Sequence, residues 1–476
     1  MARHDYKFRP DPKWADGLFI PPAPIPMPKH PDDWNFVDYF DSILAMSRNA
    51  VTASTEVSMT LEDVQVDSLG QELIVVTSPA AIRHIFIENA KNYRMHPIRQ
   101  AILKPVLKDG LITAEGDIWK FGRRALSPVF VPRQIKAFAT SMVDVTDKML
   151  ATCFPDGGTI DISESFLKLA YGVLSETLFS GEIDGQSEKA LRDISRFASA
   201  LGRADPLDIL MAPRWLPRLT KLGGWGAVNR LRADVLALAM DRRRRIETGT
   251  KVPDDFLTLL LRTETDEGER LTDTQIVDEI VTFIGAGHET TSRALTWLTY
   301  LLSQDAASRE RVETEVDQLD ISLPPENWLE DIPFSMACLN EGMRLYPPAP
   351  LISRQAIAED KFEDKILSKN CGVLINLWSL HRHRNHWDKP DAFDPERFMG
   401  DRAKSIGRFA FLPFGVGHRV CIGQRFALQE AAVMMAVIFR KIRLNWIESE
   451  PHPWPLMRIT TRPQESLKMR VEWRKA

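Results

Sequence analysis

The chain has 476 residues, of which 44% are hydrophobic and 26% charged, and its net charge is -4. That is ample apolar material for a large buried core, and too mild a charge for a nucleic-acid partner. Four cysteines, Cys153, Cys338, Cys371 and Cys421, form no CxxC pair and no zinc spacing. Few and scattered, they fit a reducing cytoplasm better than a disulfide scaffold.

Residues 1–16 are polar and charged, with no apolar run long enough for a signal peptide or a membrane span. Pro21, Pro22, Pro24, Pro26, Pro28 and Pro31 then predict an extended leader lying on the surface. Residues 1–72 are read as this leader and 73–476 as one domain, since no Gly/Ser linker or internal repeat divides the rest. A strand is expected over 73–76. Ser78 and Pro79 follow as an N-cap and a first-turn proline. Val131-Pro132 opens a helix with Ile135, Phe138, Met142, Val145 and Met149 on one face. Another, strongly apolar helix is expected over 162–179. Residues 191–245 read as two helices around a tip at 207–216. Ile209, Leu210, Met211 and Trp215 there suit a ligand entrance, a membrane contact or packing on neighbouring helices. Arg242, Arg243, Arg244 and Arg245 are expected to be a solvated helix end favoured by the helix dipole. Residues 263–269 form a polar turn.

Thr272-Asp273-Thr274-Gln275 is a capping box, and a long helix follows to about Ser303. In its middle stands Gly285-Ala286-Gly287-His288-Glu289-Thr290-Thr291. Two glycines cost a helix about 1 kcal/mol each relative to alanine. Their pairing predicts a relaxed hydrogen-bond ladder and a groove. Thr290 is suited to hold an ordered water and Glu289 to feed protons inward.

Glu341-Gly342-Met343-Arg344 sets an acid and a base three apart on one helix face. Asp394-Pro395-Glu396-Arg397-Phe398 supplies a second arginine. Helices dominate to about residue 345, and short strands and turns are mixed in afterwards. Near the end comes Phe411-Leu412-Pro413-Phe414-Gly415-Val416-Gly417-His418-Arg419-Val420-Cys421-Ile422-Gly423, with a helix expected over 424–440. Gly415 and Gly417 let the loop wrap a bulky partner, and Gly423 lets the backbone pass close on the other side. Loop and helix-start amides can stabilise a thiolate at Cys421. Such a thiolate suits haem iron.

The last segment matches F-G-x-G-x-R-x-C-x-G at every fixed place, and it resembles the haem-binding loop of the cytochrome P-450 family. The segment from Ala286 resembles that family's A-G-x-(D/E)-T-(T/S), and E-x-x-R, P-E-R-F and the cysteine loop follow in family order. The resemblance runs from near residue 73 to the end and is strongest after residue 283. It implies a mainly α fold with small β-sheets: one triangular-prism domain holding haem between the long helix and the cysteine-loop helix. It implies haem b with its iron on Cys421. Trp119 and Arg123 match W-x-x-x-R as propionate partners, and Arg354 and Arg419 suit the same task, with Phe414 among the cofactor-binding residues. Glu341, Arg344 and Arg397 match a buried charge cluster that fixes the loop.

The implied activity is a haem-thiolate monooxygenase that inserts one oxygen atom of O2 into a hydrophobic small molecule. Ala286, Thr290, Leu351, Ile352 and residues 455–457, with Leu456, are the pocket candidates, and residues 96–118 add a wall. No flavin or iron–sulfur domain is fused, so electrons are expected from a separate ferredoxin or flavodoxin with its reductase, docking at Lys120, Arg124 and Arg425. With no anchor in sight, a soluble, bacterial-type, cytoplasmic member is expected. The alternatives are a peroxide-driven enzyme of the same fold and a non-catalytic haem sensor or carrier. The Glu289–Thr290 pair argues against both.

Overall fold

The computed structural model describes residues 8–9, 12–24, 48–68, 71–183, 205–209, 216, 225–264 and 268–475. In chain order, β1 (Val64–Ser68) and β2 (Gln71–Val75) form a hairpin, and β3 (Tyr93–Met95) leads into α1 (Pro97–Leu107). Then come α2 (Gly116–Leu126), α3 (Pro132–Cys153), α4 (Ile162–Phe179), α5 (Trp225–Glu247), α6 (Asp273–Gln304) and α7 (Pro333–Leu345). β4 (Leu351–Ala356), β5 (Gly372–Asn376), α8 (Gln424–Lys441), β6 (Pro455–Met457) and β7 (Thr461–Pro463) complete the parts that shape the site.

The helix α6 is the axis of the core. Its capping box is present: the Gln275 amide donates to the Thr272 hydroxyl at 3.3 Å, and the Thr272 amide donates to Gln275 Oε1 at 2.9 Å. Its apolar side is continuous, with Ile276, Ile280, Ile284, Leu295, Leu298 and Leu302 all buried. α4, α5 and α7 pack around it. The glycines do not interrupt the helix, which runs through 285–291 as regular α. Gly287 instead permits close packing: a Cβ there would stand 2.4 Å from Leu174 Cδ1 of α4. Similarly, Gly172 of α4 lets Met149 of α3 come in, 2.4 Å from where a Cβ would sit.

The larger sheet has the order β1-β2-β5-β4-β3, antiparallel except for the β2–β5 pair. Its register puts Val373 between Ile74 and Arg354, and Arg354 opposite Met95. The sheet thus delivers Arg354 to the start of α1, far earlier in the chain. β6 and β7 form a separate hairpin beside α6.

Two further expectations change. Arg242 is not a solvated helix end but fully buried. It donates to Asp255 at 2.7 Å, Thr258 at 2.6 Å and Glu182 at 2.6 Å, so its charge ties α5 to the segments on either side. A dipole argument reads only the helix, whereas these partners come from elsewhere in the chain. The described part of the proline leader is likewise partly inside. Phe19, Pro21 and Pro22 are buried, and the Phe393 amide donates to the Phe19 carbonyl at 2.8 Å. The expected face of α3 does turn inward: Ile135, Phe138 and Met142 are buried, and the half-buried Val145 and Met149 pack against the same core. The apolar tip expected at 207–216 lies largely outside the described residues.

Candidate active site

Cys421 is the exposed one of the four cysteines; Cys153, Cys338 and Cys371 are buried. Burial pushes the thiols of Cys153 and Cys371 up to about 11 and about 12. Cys421 is accessible to solvent, yet protein crowds it enough to raise its thiol as well. The Gly423 amide, hydrogen-bonded to the sulfur, and the nearby Arg123 charge pull the other way.

The loop that presents it depends on two left-handed glycines, Gly415 at φ +79 and Gly417 at φ +74. At Gly417 a Cβ would lie 2.1 Å from the Phe86 carbonyl oxygen, so no side chain fits. The Cys421 amide donates to the Phe414 carbonyl at 2.9 Å, closing the loop. Gly423 differs from its expected role. Its φ is −86, and a Cβ there would make ordinary contact with Phe130 at 3.8 Å, so its protein neighbours do not demand glycine.

Behind the loop, Arg344 donates to both oxygens of Glu341, at 2.6 and 2.7 Å. It also donates to the carbonyls of His381, Pro390 and Ala392 at 2.6 to 2.9 Å. Arg397 reaches Glu341 at 3.3 Å and the carbonyls of Asp388 and Lys389, and the Asp394 amide donates to Glu341 at 2.9 Å. All three charged side chains are buried. The His381 ring then accepts from the Leu412 amide at 3.1 Å, which carries the connection into the cysteine loop.

A second group of cations gathers around Arg419 of the loop itself, and it is not balanced. Burial and the charges of Arg99 and Arg419 push Arg354 down to about 9. Burial lowers Arg99 and Arg419 as well. Arg354 donates to the Ser353 carbonyl at 2.9 Å, Arg99 to the Leu351 carbonyl at 3.3 Å and Arg419 to the Ala114 carbonyl at 2.9 Å. Glu115, 3.3 Å from Arg419, supplies a carboxylate. Arg419 lies over the Trp119 ring at 4.7 Å, and Trp119 meets His418 edge-on at 5.1 Å. Three guanidiniums around one carboxylate fit a group that brings two more carboxylates, as haem does. With the accessible sulfur of Cys421, this donor set suits haem. Arg99 was not singled out from sequence; it is the guanidinium in the segment expected to form a pocket wall. Arg123 stands next to this cluster: like Arg354, Arg419 and Glu115, its charge reaches His418. It donates to the Val420 carbonyl at 2.9 Å, and its charge acts on Cys421.

On α6, the Thr290 hydroxyl donates to the Ala286 carbonyl at 2.7 Å, one turn back. Glu289 turns elsewhere: it accepts from the Thr460 hydroxyl at 2.8 Å and lies 3.6 Å from Arg293. Arg293, one turn on from Glu289, is a pairing that i,i+4 spacing signals. Thr460, from the β6–β7 turn, has no such sequence signal. Thr291 donates at 2.8 Å to the fully buried Glu430 of α8, whose carboxyl burial pushes up to about 8. This link joins α6 to the helix that follows Cys421, and it too was missed from sequence.

The pocket candidates are spread along the walls. Ala286, Leu351 and Ile352 are half-buried, and Leu456 is buried. Leu351 is tied to Arg99, while Ile352 stands 3.9 Å from the position of a Gly415 Cβ. An open groove of about 560 Å³ lies against the cysteine loop, lined by Phe86, Ile87, Arg408, Phe411, Val416 and Val420 among others. None of the four candidates lines it. Lys120, Arg124 and Arg425 are exposed on α2 and α8, and Lys120 is paired with Asp117 at 2.9 Å.

Family comparison agrees with this geometry. The model of the cytochrome P450 family matches residues 59–469. The chain belongs to that family. Cytochrome P450 4F4 of Rattus norvegicus is 28% identical over 467 residues, covering 93% of this chain and 89% of its own length. Cytochrome P450 4F8 of Homo sapiens is 31% identical, with 78% of this chain and 75% of its own length covered. Cyclooctat-9-en-7-ol 5-monooxygenase of Streptomyces melanosporofaciens is 30% identical over 74% of this chain and 79% of its length. The protein is therefore a P450 monooxygenase, an oxidoreductase with haem b held through a cysteine thiolate, and it uses O2 and an electron-transfer partner. Among the described residues, no helix is long and apolar enough to cross a membrane.

Proposed function

We propose that this chain inserts one oxygen atom of O2 into a hydrophobic small molecule, using electrons from a separate ferredoxin or flavodoxin with its reductase. The observation that carries the reading is Cys421, accessible in its glycine loop beside an unbalanced cluster of Arg99, Arg354 and Arg419. When bound, haem supplies the oxygen-activating chemistry. Cys421 holds its iron. Arg354, Arg419 and Trp119, with Arg99, hold its propionates, and Phe414 packs beside it. Arg123 steadies the loop through Val420 and shields the thiolate charge.

Glu341, Arg344 and Arg397 keep that loop in place from behind. Thr290 would hold an ordered water, and Glu289, hydrogen-bonded to Thr460 and close to Arg293, would pass protons to it. Ala286, Leu351, Ile352 and Leu456 supply the apolar wall that favours a hydrophobic substrate. The Streptomyces relative, named for oxidation of an unsaturated alcohol, supports that class. Lys120, Arg124 and Arg425, exposed on the helices flanking Cys421, form the docking face for an acidic electron donor. The scattered cysteines suit a cytoplasmic setting.

The test is spectroscopic first. The reduced, CO-bound protein should show the strongly red-shifted Soret band of thiolate ligation, and Cys421→His should abolish it. A compound library screened for shifts of the haem spectrum then selects substrates. With surrogate partners, a selected compound should be oxidised with NADH consumption. Retention of the thiolate band in Cys421→His would remove Cys421 from the iron, and binding without turnover would leave a sensor or carrier.

A further inference from the structure

We propose that Glu62, His383 and His386 form a site for a divalent transition-metal cation of the zinc class, separate from the haem site. The donor atoms of the three side chains lie within 4.8 Å of one another. His386 Nε2 is 3.7 Å from Glu62 Oε1, and the two imidazole rings stack with centroids 4.6 Å apart. Tetrahedral zinc with bonds of about 2.0–2.1 Å places its donors about 3.4 Å apart. Closing the site therefore asks for side-chain rotation and no new path for the backbone. Two imidazoles and a carboxylate suit zinc, cobalt or nickel; magnesium and calcium prefer sites made of oxygen alone. Glu62 is exposed, His386 half-buried and His383 buried, so the site is reached from solvent on the Glu62 side.

The two turns that carry these residues are already held together. Asp63 adopts φ +53, and its carboxylate accepts from the Thr77 and Ser78 amides at 2.9 Å each, which fixes the turn presenting Glu62. The Arg384 amide donates to the Met59 carbonyl at 2.8 Å, which ties the histidine turn to the same segment. The hydroxyls of Ser58 and Ser379, 3.0 Å apart, add a third tie. A site whose supports are fixed beforehand loses less entropy on binding.

Each ring now turns its Nε2 to a backbone carbonyl, His383 to Leu61 at 3.3 Å and His386 to Thr77 at 3.0 Å. A cation taking a ring nitrogen displaces the proton there to solvent, and no electrons move. The turn beyond His383 also supplies the Pro390 and Ala392 carbonyls that hold Arg344. Metal at this site would stiffen the backbone that completes the Glu341 cluster.

The experiment uses haem-loaded protein stripped with EDTA and dialysed against Zn²⁺, beside Glu62→Gln and His386→Gln. Both side chains reach solvent, and unchanged haem content and CO spectrum verify that the variants fold. Bound zinc per chain and melting temperature are measured against zinc concentration. The wild type should bind one more Zn²⁺ than either variant, with affinity at least about tenfold tighter. Its melting temperature should rise with zinc, and that rise should be lost in both variants. Equal zinc binding in all three proteins overturns the site, and so does a wild-type melting temperature that zinc leaves unchanged.

Discussion

Two arginine clusters flank the cysteine loop, and they are built on opposite principles. Arg344 spends all its N–H groups inside the chain, on Glu341 and three carbonyls. Arg354 donates to one carbonyl and faces Arg99 and Arg419, and burial together with those two charges pushes its pKa down to about 9. A buried charge with every partner supplied by the chain holds a fold together. A buried charge among like charges stores a cost that only an anionic ligand offsets. The first cluster should therefore matter equally with and without haem, and the second chiefly through haem.

The largest effect expected is at the balanced cluster. Arg344→Ala leaves Glu341 buried without its partner, at a cost of about 3–5 kcal/mol. Little folded protein should be recovered whether or not haem is supplied in excess. Yield, haem content and melting temperature check this, and a wild-type melting temperature would reduce the cluster to a minor bridge. At the unbalanced cluster, Arg354→Gln removes one of the repelling charges. The haem-free chain should keep or raise its melting temperature, while haem binding weakens by about 1.5–3 kcal/mol, the worth of a charged hydrogen bond. Haem transfer to apomyoglobin measures the loss. A drop in haem-free stability without loss of haem affinity would erase the contrast between the clusters.

Between them stands α6, where chemistry and packing share residues. Thr290→Ala removes the hydroxyl now bonded to Ala286 but no buried charge, so stability should change little. Product formed per NADH should fall several-fold and hydrogen peroxide should rise, because proton delivery is impaired while electron entry is not. An unchanged product-to-NADH ratio would make Thr290 a packing residue.

An effect that shows only as pH changes is expected at Glu430, a buried carboxyl with a hydroxyl for company. Its pKa of about 8 lies above the value of about 4.3 expected in the unfolded chain. Between those two pH values the unfolded state releases the proton first, so wild-type stability falls as pH rises. Glu430→Gln cannot ionise. Its stability relative to wild type should therefore improve from pH 5 to pH 8, by up to about 1.4 kcal/mol per pH unit. A constant difference across that range would mean that Glu430 does not keep its proton.

Local order along the chain was enough to read several features. The capping box at Thr272, the helix over 162–179 and the glycine loop around Cys421 all depend on neighbours within a few residues, and a sequence displays those directly. E-x-x-R likewise shows Glu341 and Arg344 on one helix face. What joins distant segments was not displayed. Arg242 finds Asp255 and Glu182 inside the core, Arg99 meets Arg354 because β3 and β4 pair, and Thr460 reaches Glu289 across 171 residues. Gly287 offers its surface to Leu174 while the helix stays regular, so its meaning depended on the neighbour. The sequence by itself determined the family, the thiolate ligand loop and the helical frame, since these rest on short-range spacing. Only the tertiary structure decided which charges are balanced and which are left facing one another, because burial and distance, not residue type, set the cost of a charge.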